Sequence, residues 1–397
     1  MNNKKQNTLF IESTADFMHI HHSLYRREIA DWQNARLQRL HPTRPLTYEL
    51  QQAYRDAMLD NHLSGAINNR ILRVTNKQFL LKDPNNNPDE KRSAYLHSRW
   101  FKDLVRIALE SKFFGYSMVH FHCQGQHVHL KQIPRENIIP EHKLLLKNPL
   151  NPSEHFLHFT DYPYELIYIQ LLPDSIGILE KVVPLTIFKR HSWAAWDEFE
   201  QLFGVPIRIA RTMINTKKHL DDLQEWLESM GSLSYAILDK RVDLEIKENN
   251  KTDAFRVFAE KINLINKEIS KAILGQTMTM DDGSSQSQAT VHLAIMDEIT
   301  NADIADIEDW FNSSFIHILR YHGFDIPEGY YLDIVANASL DPAEKIKVDE
   351  ALMRNGYLLS PDYIEQTYEV KLHNKPSDTD SDYLSYPYQQ NLPDFFD

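Results

Sequence analysis

The order of helical patterns in the second half of the chain constrains its fold more than any other feature. Apolar residues recur at helical spacing from about Pro184 to Phe203 and again from Thr252 to Leu274. Residues 276–288 form a polar loop with almost no bulky side chain, and the pattern over Ala289–Tyr321 predicts one helix of roughly 33 residues and about 50 Å. A monomeric enzyme does not require this order. It suits a ring subunit, because helices could line a channel and the loop could project into it.

The composition is that of a globular chain with an acidic balance. Its 397 residues suffice for roughly two or three domains, and no apolar run approaches the roughly 18–20 residues that span a bilayer. The net charge of −13 argues against a surface that binds nucleic acid over its whole area, because phosphate binding needs a concentrated cationic face. The one cysteine, Cys123, excludes an intramolecular disulfide framework and suits a reducing compartment.

The first half of the chain mixes helices with short strands. Phe79–Leu81 predicts a strand, the asparagine-rich segment after it predicts a loop, and Gly115 stands where a helix C-cap belongs. Residues 131–185 predict strands and irregular connections. The predicted helices of this half are Thr14–Leu40, Thr47–Val74 and Ser93–Phe114.

The remaining segments complete a mixed α+β chain. Residues 204–251 predict a compact β-α-β-β unit, and Tyr330–Val335 predicts a strand after the long helix. The segment from His373 onward is polar and acidic. The elements of the compact unit are Ile207–Met213, Leu220–Met230, Tyr235–Leu238 and Val242–Ile246, and the last two predicted helices are Pro342–Asn355 and Pro361–Tyr368.

Alternating residues 116–131 predict a β-hairpin that carries four histidines on one side of the sheet. With a turn at Gln124-Gly125, His122 would face His127 and His120 would face His129. Neutral imidazoles in this arrangement could hold zinc. The opposite face already supplies apolar residues for the core, so we expect the histidines to lie on the solvated side.

Other candidate sites have simpler structural interpretations. Cys123 lies beside His122, but adjacent strand residues point to opposite faces, so a thiol–imidazole pair is not expected. Asp221-Asp222 and Asp281-Asp282 could bind a divalent cation, although a helix N-terminus and a solvated loop explain them as well. The cluster Met18–His22 predicts a solvated helix face. No nucleophile or phosphate-loop motif is present.

Two segments resemble the Mu-like phage portal proteins. Trp196-Asp-Glu-Phe-Glu-Gln-Leu-Phe-Gly-Val-Pro206 is similar to a tryptophan-bearing helix that ends in Phe-Gly-x-Pro. Ile273-Leu-Gly-Gln-Thr-Met-Thr279, followed by Ser287-Gln-Ala-Thr-Val-His292, resembles the second family signature. A weaker similarity covers Leu59–Phe79, with Asn69-Arg70 in its middle. The loop after Thr279 is more acidic and poorer in glycine than the family pattern.

The resemblance implies a portal-protein fold with long stem and tunnel helices, a small α/β clip and a mixed α/β wing. By this analogy the chain divides into an N-terminal tail and wing (1–183), stem helix 1 (184–203), clip (204–251), stem helix 2 (252–275), tunnel loop (276–288), long tunnel helix (289–322), wing strand (323–338), crown-like helices (339–372) and acidic tail (373–397).

The same resemblance implies a dodecameric ring at the capsid vertex of a virion, assembled in the host cytoplasm. Double-stranded DNA would pass through the channel without sequence specificity, and terminase large subunit, capsid or scaffold protein and head–tail connector proteins would be partners. No catalytic residue, metal, cofactor or membrane contact is implied. The tunnel-loop residues are Gln276, Thr277, Met278, Thr279, Met280, Asp281, Asp282, Gly283, Ser284, Ser285 and Gln286, and the stem or subunit-interface residues are Trp193, Trp196, Phe199 and Phe203.

Two other functions stay open from the sequence. The first is a metal-dependent enzyme that uses the histidine hairpin 120–129 with a carboxylate. The second is a smaller scaffold or adaptor protein through which no DNA passes. Bound metal in a monomer would favour the enzyme, and an oligomer without a central channel would favour the adaptor.

Overall fold

The computed structural model has two compact units, residues 1–336 and residues 337–397. Within them, the described residues are 28–124, 127–151, 155–173, 176–203, 207–212, 216–218, 221, 242–247, 254–277, 286–335, 342–357, 359–360 and 363–364. In this part of the chain no helix is both long enough and apolar enough to cross a bilayer.

The helix predicted over Thr47–Val74 is in fact two helices. The chain leaves the first after Ala57, and Asp60 starts the second by accepting a hydrogen bond from the backbone N–H of Leu63 at 2.9 Å. An aspartate N-cap satisfies a donor that a continuous helix would have paired internally. The first three helices are α1 (Ile29–Arg39), α2 (Tyr48–Ala57) and α3 (Asn61–Thr75).

The helix predicted over Ser93–Phe114 also begins later than expected. A short helix α4 (Glu90–Ser93) runs into one 3₁₀ turn, and Ser98 then adopts an extended conformation from which α5 (Arg99–Phe114) starts. Gly115 follows α5 with φ of 94°, which confirms its predicted role as the cap. The strand predicted at Phe79–Leu81 is confirmed as β1 (Gln78–Lys82).

Two three-stranded antiparallel sheets follow α5. The first has the order β3-β2-β7 and the second the order β4-β5-β6. The central strand β2 is covered on both faces, by the main core on one and by a smaller core around Tyr116 and Met118 on the other. The strands are β2 (Ser117–Gln124), β3 (His127–Gln132), β4 (Ile138–Ile139), β5 (Leu144–Leu146), β6 (His155–His158) and β7 (Leu166–Ile169).

Three long helices follow the sheets. The first begins at Leu179, before the predicted Pro184, because Leu179, Val182 and Val183 are buried in the main core. Pro184 lies inside this helix, where its nitrogen cannot donate a hydrogen bond to the carbonyl of Glu180. The helices are α6 (Leu179–Phe203), α7 (Ala254–Leu274) and α8 (Gln286–Trp310), and the antiparallel pair β8 (Ile207–Thr212) and β9 (Val242–Lys247) lies between α6 and α7 in sequence.

The third helix continues as one helical run to Tyr321. After α8, a π-helical turn over Phe311–Phe315 leads into α9 (Ile316–Tyr321). Within the turn, Asn312 accepts from the backbone N–H of Leu332 and donates to its carbonyl. These bonds hold the outer edge of β10 (Tyr331–Val335), which pairs on its other side with β1. We call residues 286–321 the long helix.

The second unit contains α10 (Pro342–Arg354), close to its predicted bounds. Of the helix predicted over Pro361–Tyr368, the structure describes two helical residues, Tyr363 and Ile364, and the Tyr363 hydroxyl donates to the buried Asp349 at 3.1 Å. The predictions for Thr14–Phe17, the Met18–His22 cluster, Leu220–Met230 except Asp221, Tyr235–Leu238 and the tail from residue 373 lie outside the described residues.

Candidate functional site

The aromatic residues predicted for the stem form a stack between α6 and α7. The Trp193 and Trp196 rings are parallel with centroids 5.4 Å apart, and the Trp196 ring lies 6.3 Å from that of Phe258 on α7. The centroid of the Phe199 ring lies 5.9 Å from that of the Phe258 ring. The i, i+3 spacing of the two tryptophans places them on one helical face. Phe203 closes α6, and its side chain lies outside the described residues.

Large apolar side chains remain exposed on all three long helices. Trp193 is 52% exposed and Leu264 is 64% exposed. Phe188 on α6, Val257 on α7 and Leu293 on α8 are exposed as well. Single exposed apolar residues are ordinary, but α6 and α7 pack against each other, and several exposed apolar residues on one helix pair are typical of a surface that contacts another protein.

The predicted tunnel loop starts from a constrained position at the end of α7. Gly275 has φ of +70°, and a Cβ atom built on it would lie 2.7 Å from Cδ1 of Ile299 on α8. Gln276, the first predicted loop residue, is buried, and its side-chain oxygen and nitrogen have no hydrogen-bond partner within the described chain. At the other end, α8 already begins at Gln286, so this residue is helical. Residues 278–285 of the loop lie outside the described residues.

A network of four charged side chains, three of them largely buried, connects the end of α7 and the second half of α8 to α3 and α5. Arg70 on α3 donates from Nε and Nη2 to the Asp303 carboxylate at 2.7 and 2.9 Å. Its Nη1 donates to the carbonyl of Ile273, in the last turn of α7, at 2.7 Å. Lys112 on α5 donates to Asp303 at 2.5 Å and also pairs with Asp306. One network therefore joins four helices and reaches the backbone of α7 three residues before the predicted loop begins.

The charge of Asp303 follows from this network. Burial opposes ionisation of its carboxyl group, but the hydrogen bonds and charges of Arg70 and Lys112 outweigh burial and lower the pKa of Asp303 below its usual value. The bidentate guanidinium contact is the strongest type of pairing available to a carboxylate. The Asp303 carboxylate is thus ionised and held in position by Arg70.

The histidine hairpin forms, but its register differs from the prediction by two residues. Strand β2 ends at Gln124 and β3 begins at His127, and in this register His122 pairs with His129, His127 pairs with Gln124, and His120 pairs with Lys131. The predicted pairs were wrong because moving a two-residue turn by one position shifts every cross-strand partner by two. The four histidines still share one side of the sheet.

The solvated position predicted for the histidines is correct only for part of the hairpin. His127 and His129 are exposed, but His120 is buried because its side of β2 faces the smaller core beside Leu166. Within the described residues no group of three histidine, cysteine, aspartate or glutamate side chains could hold a metal ion. Burial raises the pKa of Cys123 to about 11, which leaves its thiol protonated at neutral pH.

Sequence reasoning missed the charge network. Lys112 lies within an apolar helix pattern, and Asp303 and Asp306 read as ordinary helix charges. The nearest signal was Asn69-Arg70 in the weaker matching segment. Asp281 and Asp282, which the sequence singled out, lie outside the described residues, and Asp221 is described without its neighbour Asp222.

Comparisons with known proteins agree with this architecture. One chain from the neck of a native gene transfer agent particle, computed with C12 symmetry, superposes with a TM-score of 0.52 at 10% identity, over 86% of this chain and 99% of that chain. The portal protein of Escherichia phage Mu is 24% identical over 301 residues, which cover 69% of this chain and 57% of the relative. A Mu-like prophage protein of Haemophilus influenzae, FluMu gp29, is 25% identical over 268 residues, covering 62% and 51%.

The fold is therefore of the α+β portal class, as the sequence predicted. The family model described as the portal protein of Mu bacteriophage matches residues 51–370. The chain belongs to the family of Mu phage portal proteins. It spans between one half and three fifths of the length of the two curated relatives.

Proposed function

We propose that this protein is the portal subunit of a tailed phage or prophage particle. About twelve copies would form a ring at one vertex of the capsid, and the ring would be the channel for packaging and ejecting DNA. Membership in the Mu portal family over residues 51–370 is the observation that carries this proposal. The proposal includes no catalytic residue, metal or cofactor.

The exposed apolar surface on the long helices supports the proposal that copies of the chain form a ring. Stem helices α6 and α7 are held together by the Trp196–Phe258 and Phe199–Phe258 contacts, while Trp193 and Leu264 remain exposed. A cyclic arrangement would bury this surface against the next copy, since a head-to-tail interface repeats until the ring closes. We assign Trp193, Trp196, Phe199 and Phe203 to the stem and subunit interface.

The channel must let DNA move in both directions, so it cannot bind the duplex tightly. Each neutralised phosphate adds to affinity, and a ring with many such contacts would hold the DNA at every step. The loop 276–286 contains Asp281 and Asp282 and no lysine or arginine. We assign it to a weakly repulsive, hydrogen-bonding collar that centres the duplex.

The remaining domains keep their proposed roles. Residues 1–183 and 323–338 form the wing, 204–251 the clip and 339–372 a small crown, with residues 373–397 as an acidic tail. The terminase large subunit and then the head–tail connector proteins would dock on the ring, and capsid or scaffold protein would surround it. The site of action is the capsid vertex, after assembly in the host cytoplasm.

Charge reversal in the loop tests the proposal. A strain that carries Asp281→Lys and Asp282→Lys should assemble particles but package or release DNA more slowly, because the collar would then attract phosphate. Asp378→Lys with Asp380→Lys is the matched control, since it makes the same charge change in the tail. DNA content of purified particles is the measurement. Equal DNA content in particles of the two strains would contradict the assignment of this loop to the channel collar.

A further inference from the structure

A groove lies between the loop after α1 and the segment that joins β4 to β5. Its volume is about 480 Å³, within the range of about 300–1,000 Å³ that is usual for ligand sites. It is lined by Thr43, Arg44, Pro45, Leu46, Ile139, His142 and Leu144.

The walls of the groove are apolar and held in place by backbone contacts. Ile139 and Leu144 are cross-strand partners in the β4–β5 pair. The Leu46 N–H donates to the carbonyl of Gln38 at 3.1 Å, which fixes the opposite wall against the last turn of α1. Leu40, the first residue after that helix, is also exposed.

The turn that presents Arg44 is also preformed. His41 accepts through Nδ1 from the backbone N–H groups of Thr43 and Arg44, at 3.3 and 3.1 Å. The Arg44 side chain is exposed and has no ion-pair partner within the described chain. A fixed turn with a free guanidinium lowers the entropy cost of binding an anion at this position.

The rim of the groove is cationic in a chain whose net charge is −13. Glu141 is the only acidic residue in segments 38–47 and 138–146, and it pairs with Arg39 at 2.6 Å. Arg44 and Lys143 remain as an excess of positive charge, and exposed His142 lies between the two walls. The groove therefore combines an apolar floor with a positive rim.

We propose that this groove binds an acidic peptide segment of a partner protein, with a leucine or aromatic side chain as its anchor. The anchor would fill the space between Leu46 and Leu144, and flanking carboxylates would pair with Arg44 and Lys143. Duplex DNA has phosphates for the rim but no flexible apolar side chain for the floor. Acidic peptide is therefore the chemistry that satisfies both parts of the groove, and the assignment does not depend on the portal role.

Fluorescence anisotropy tests the assignment on the full chain. The probe is a short labelled peptide in which aspartate alternates with leucine and phenylalanine. Arg44→Glu should weaken its binding by about tenfold or more, because a rim attraction becomes a repulsion. Arg99→Glu is the matched control, because it makes the same charge change at another exposed arginine. The Nε atom of Arg99 lies 3.8 Å from the Asp103 carboxylate, so its ion pair is long and solvated.

Peptide variants and cross-linking separate the remaining outcomes. Replacing the leucine and phenylalanine of the probe by serine should abolish binding, and a benzophenone version should cross-link wild-type protein within residues 43–46 or 139–144. The assignment is overturned by absence of binding, by equal losses in the two arginine variants, or by undiminished binding of the serine peptide. Binding of duplex DNA with the same dependence on Arg44 would overturn it in favour of a nucleic-acid site.

Discussion

Asp303 is the shared anion of two buried cations that come from different helices. Asp303→Asn keeps the size of the side chain but leaves Arg70 and Lys112 without the carboxylate that pairs them. Breaking a buried ion pair in this way costs about 3–5 kcal/mol. We expect chemical denaturation to show a loss of this order, whereas Arg354→Gln, which breaks an exposed pair with Glu350, should change stability by less than about 1 kcal/mol.

The pH dependence of stability gives a second readout at Asp303. Because its pKa is lowered on folding, its contribution is complete above the usual carboxyl pKa and is lost as the pH falls through the folded value. The wild type should therefore lose stability on acidification more steeply than Asp303→Asn. Parallel acid profiles for the two proteins would contradict the ionised network.

The reactivity of the Cys123 thiol tests whether this side chain is buried in the folded protein. Burial raises its pKa from 9.0 to about 11. At a given pH below 9, the thiolate fraction should therefore be about a hundredfold smaller than that of an ordinary thiol, and thiolate is the reactive form. Alkylation by iodoacetamide at pH 8 should be slower by about that factor in the folded protein than after denaturation. Equal rates would show that the thiol is not protected.

Residue-scale features were the hardest to predict from the sequence. Arg70, Lys112 and Asp303 are separated by many residues, and no local pattern shows that their helices meet. The hairpin illustrates the same limit at short range. Its existence followed from alternation, but the register of β2 against β3 decided which histidines face each other.

Gly275 controls how α7 ends beside α8. Gly275→Ala places a Cβ atom 2.7 Å from Ile299 in a left-handed conformation, and Gly323→Ala adopts a similar φ with nothing within 4 Å. In both variants the left-handed conformation of the alanine lowers the free energy of unfolding by about 1–2 kcal/mol. We expect thermal or denaturant unfolding to show a further loss of about 1–3 kcal/mol for Gly275→Ala alone, because of the overpacked contact. Equal losses would mean that Ile299 moves freely.

The proposed stem surface allows an effect on assembly to be distinguished from an effect on folding. Leu264 on α7 and Leu72 on α3 are 64% and 53% exposed, so replacing either by serine should change the stability of the single chain by less than about 0.5 kcal/mol. Leu264→Ser should raise the concentration needed for oligomer formation by about tenfold or more. The reason is that each interface between neighbouring subunits would lose the burial of one leucine side chain. Sedimentation velocity over a dilution series measures this. A similar shift in Leu72→Ser would place the interface elsewhere.

At the scale of elements, periodicity predicted the long helices well and helix starts less well. The predicted helix from Thr252 to Leu274 and α7 agree within two residues at the start. Breaks at Asp60 and Ser98 were missed because apolar spacing continues across them, whereas capping and an extended serine interrupt the backbone. At Pro184 the error was the opposite one. The sequence placed the start of the helix at this proline, whereas α6 begins five residues earlier, at Leu179.

At the scale of the whole molecule, the α+β class and the family were predictable because two distinctive segments lie at the ends of α6 and α7. The sequence also singled out Trp193 and Trp196, and their role in a subunit interface stays a proposal. The groove beside Arg44 was not predictable, because its two walls are nearly one hundred residues apart and meet only in the folded chain.

The central claim is that copies of this chain close into a ring around a channel. Native mass spectrometry of the protein co-expressed with its capsid and scaffold proteins, with negative-stain images of the same sample, tests it most directly. The account predicts an assembly of about twelve copies with a continuous central opening, as expected for a closed head-to-tail oligomer. A chain that stays monomeric under these conditions, or an oligomer without an opening, would contradict it.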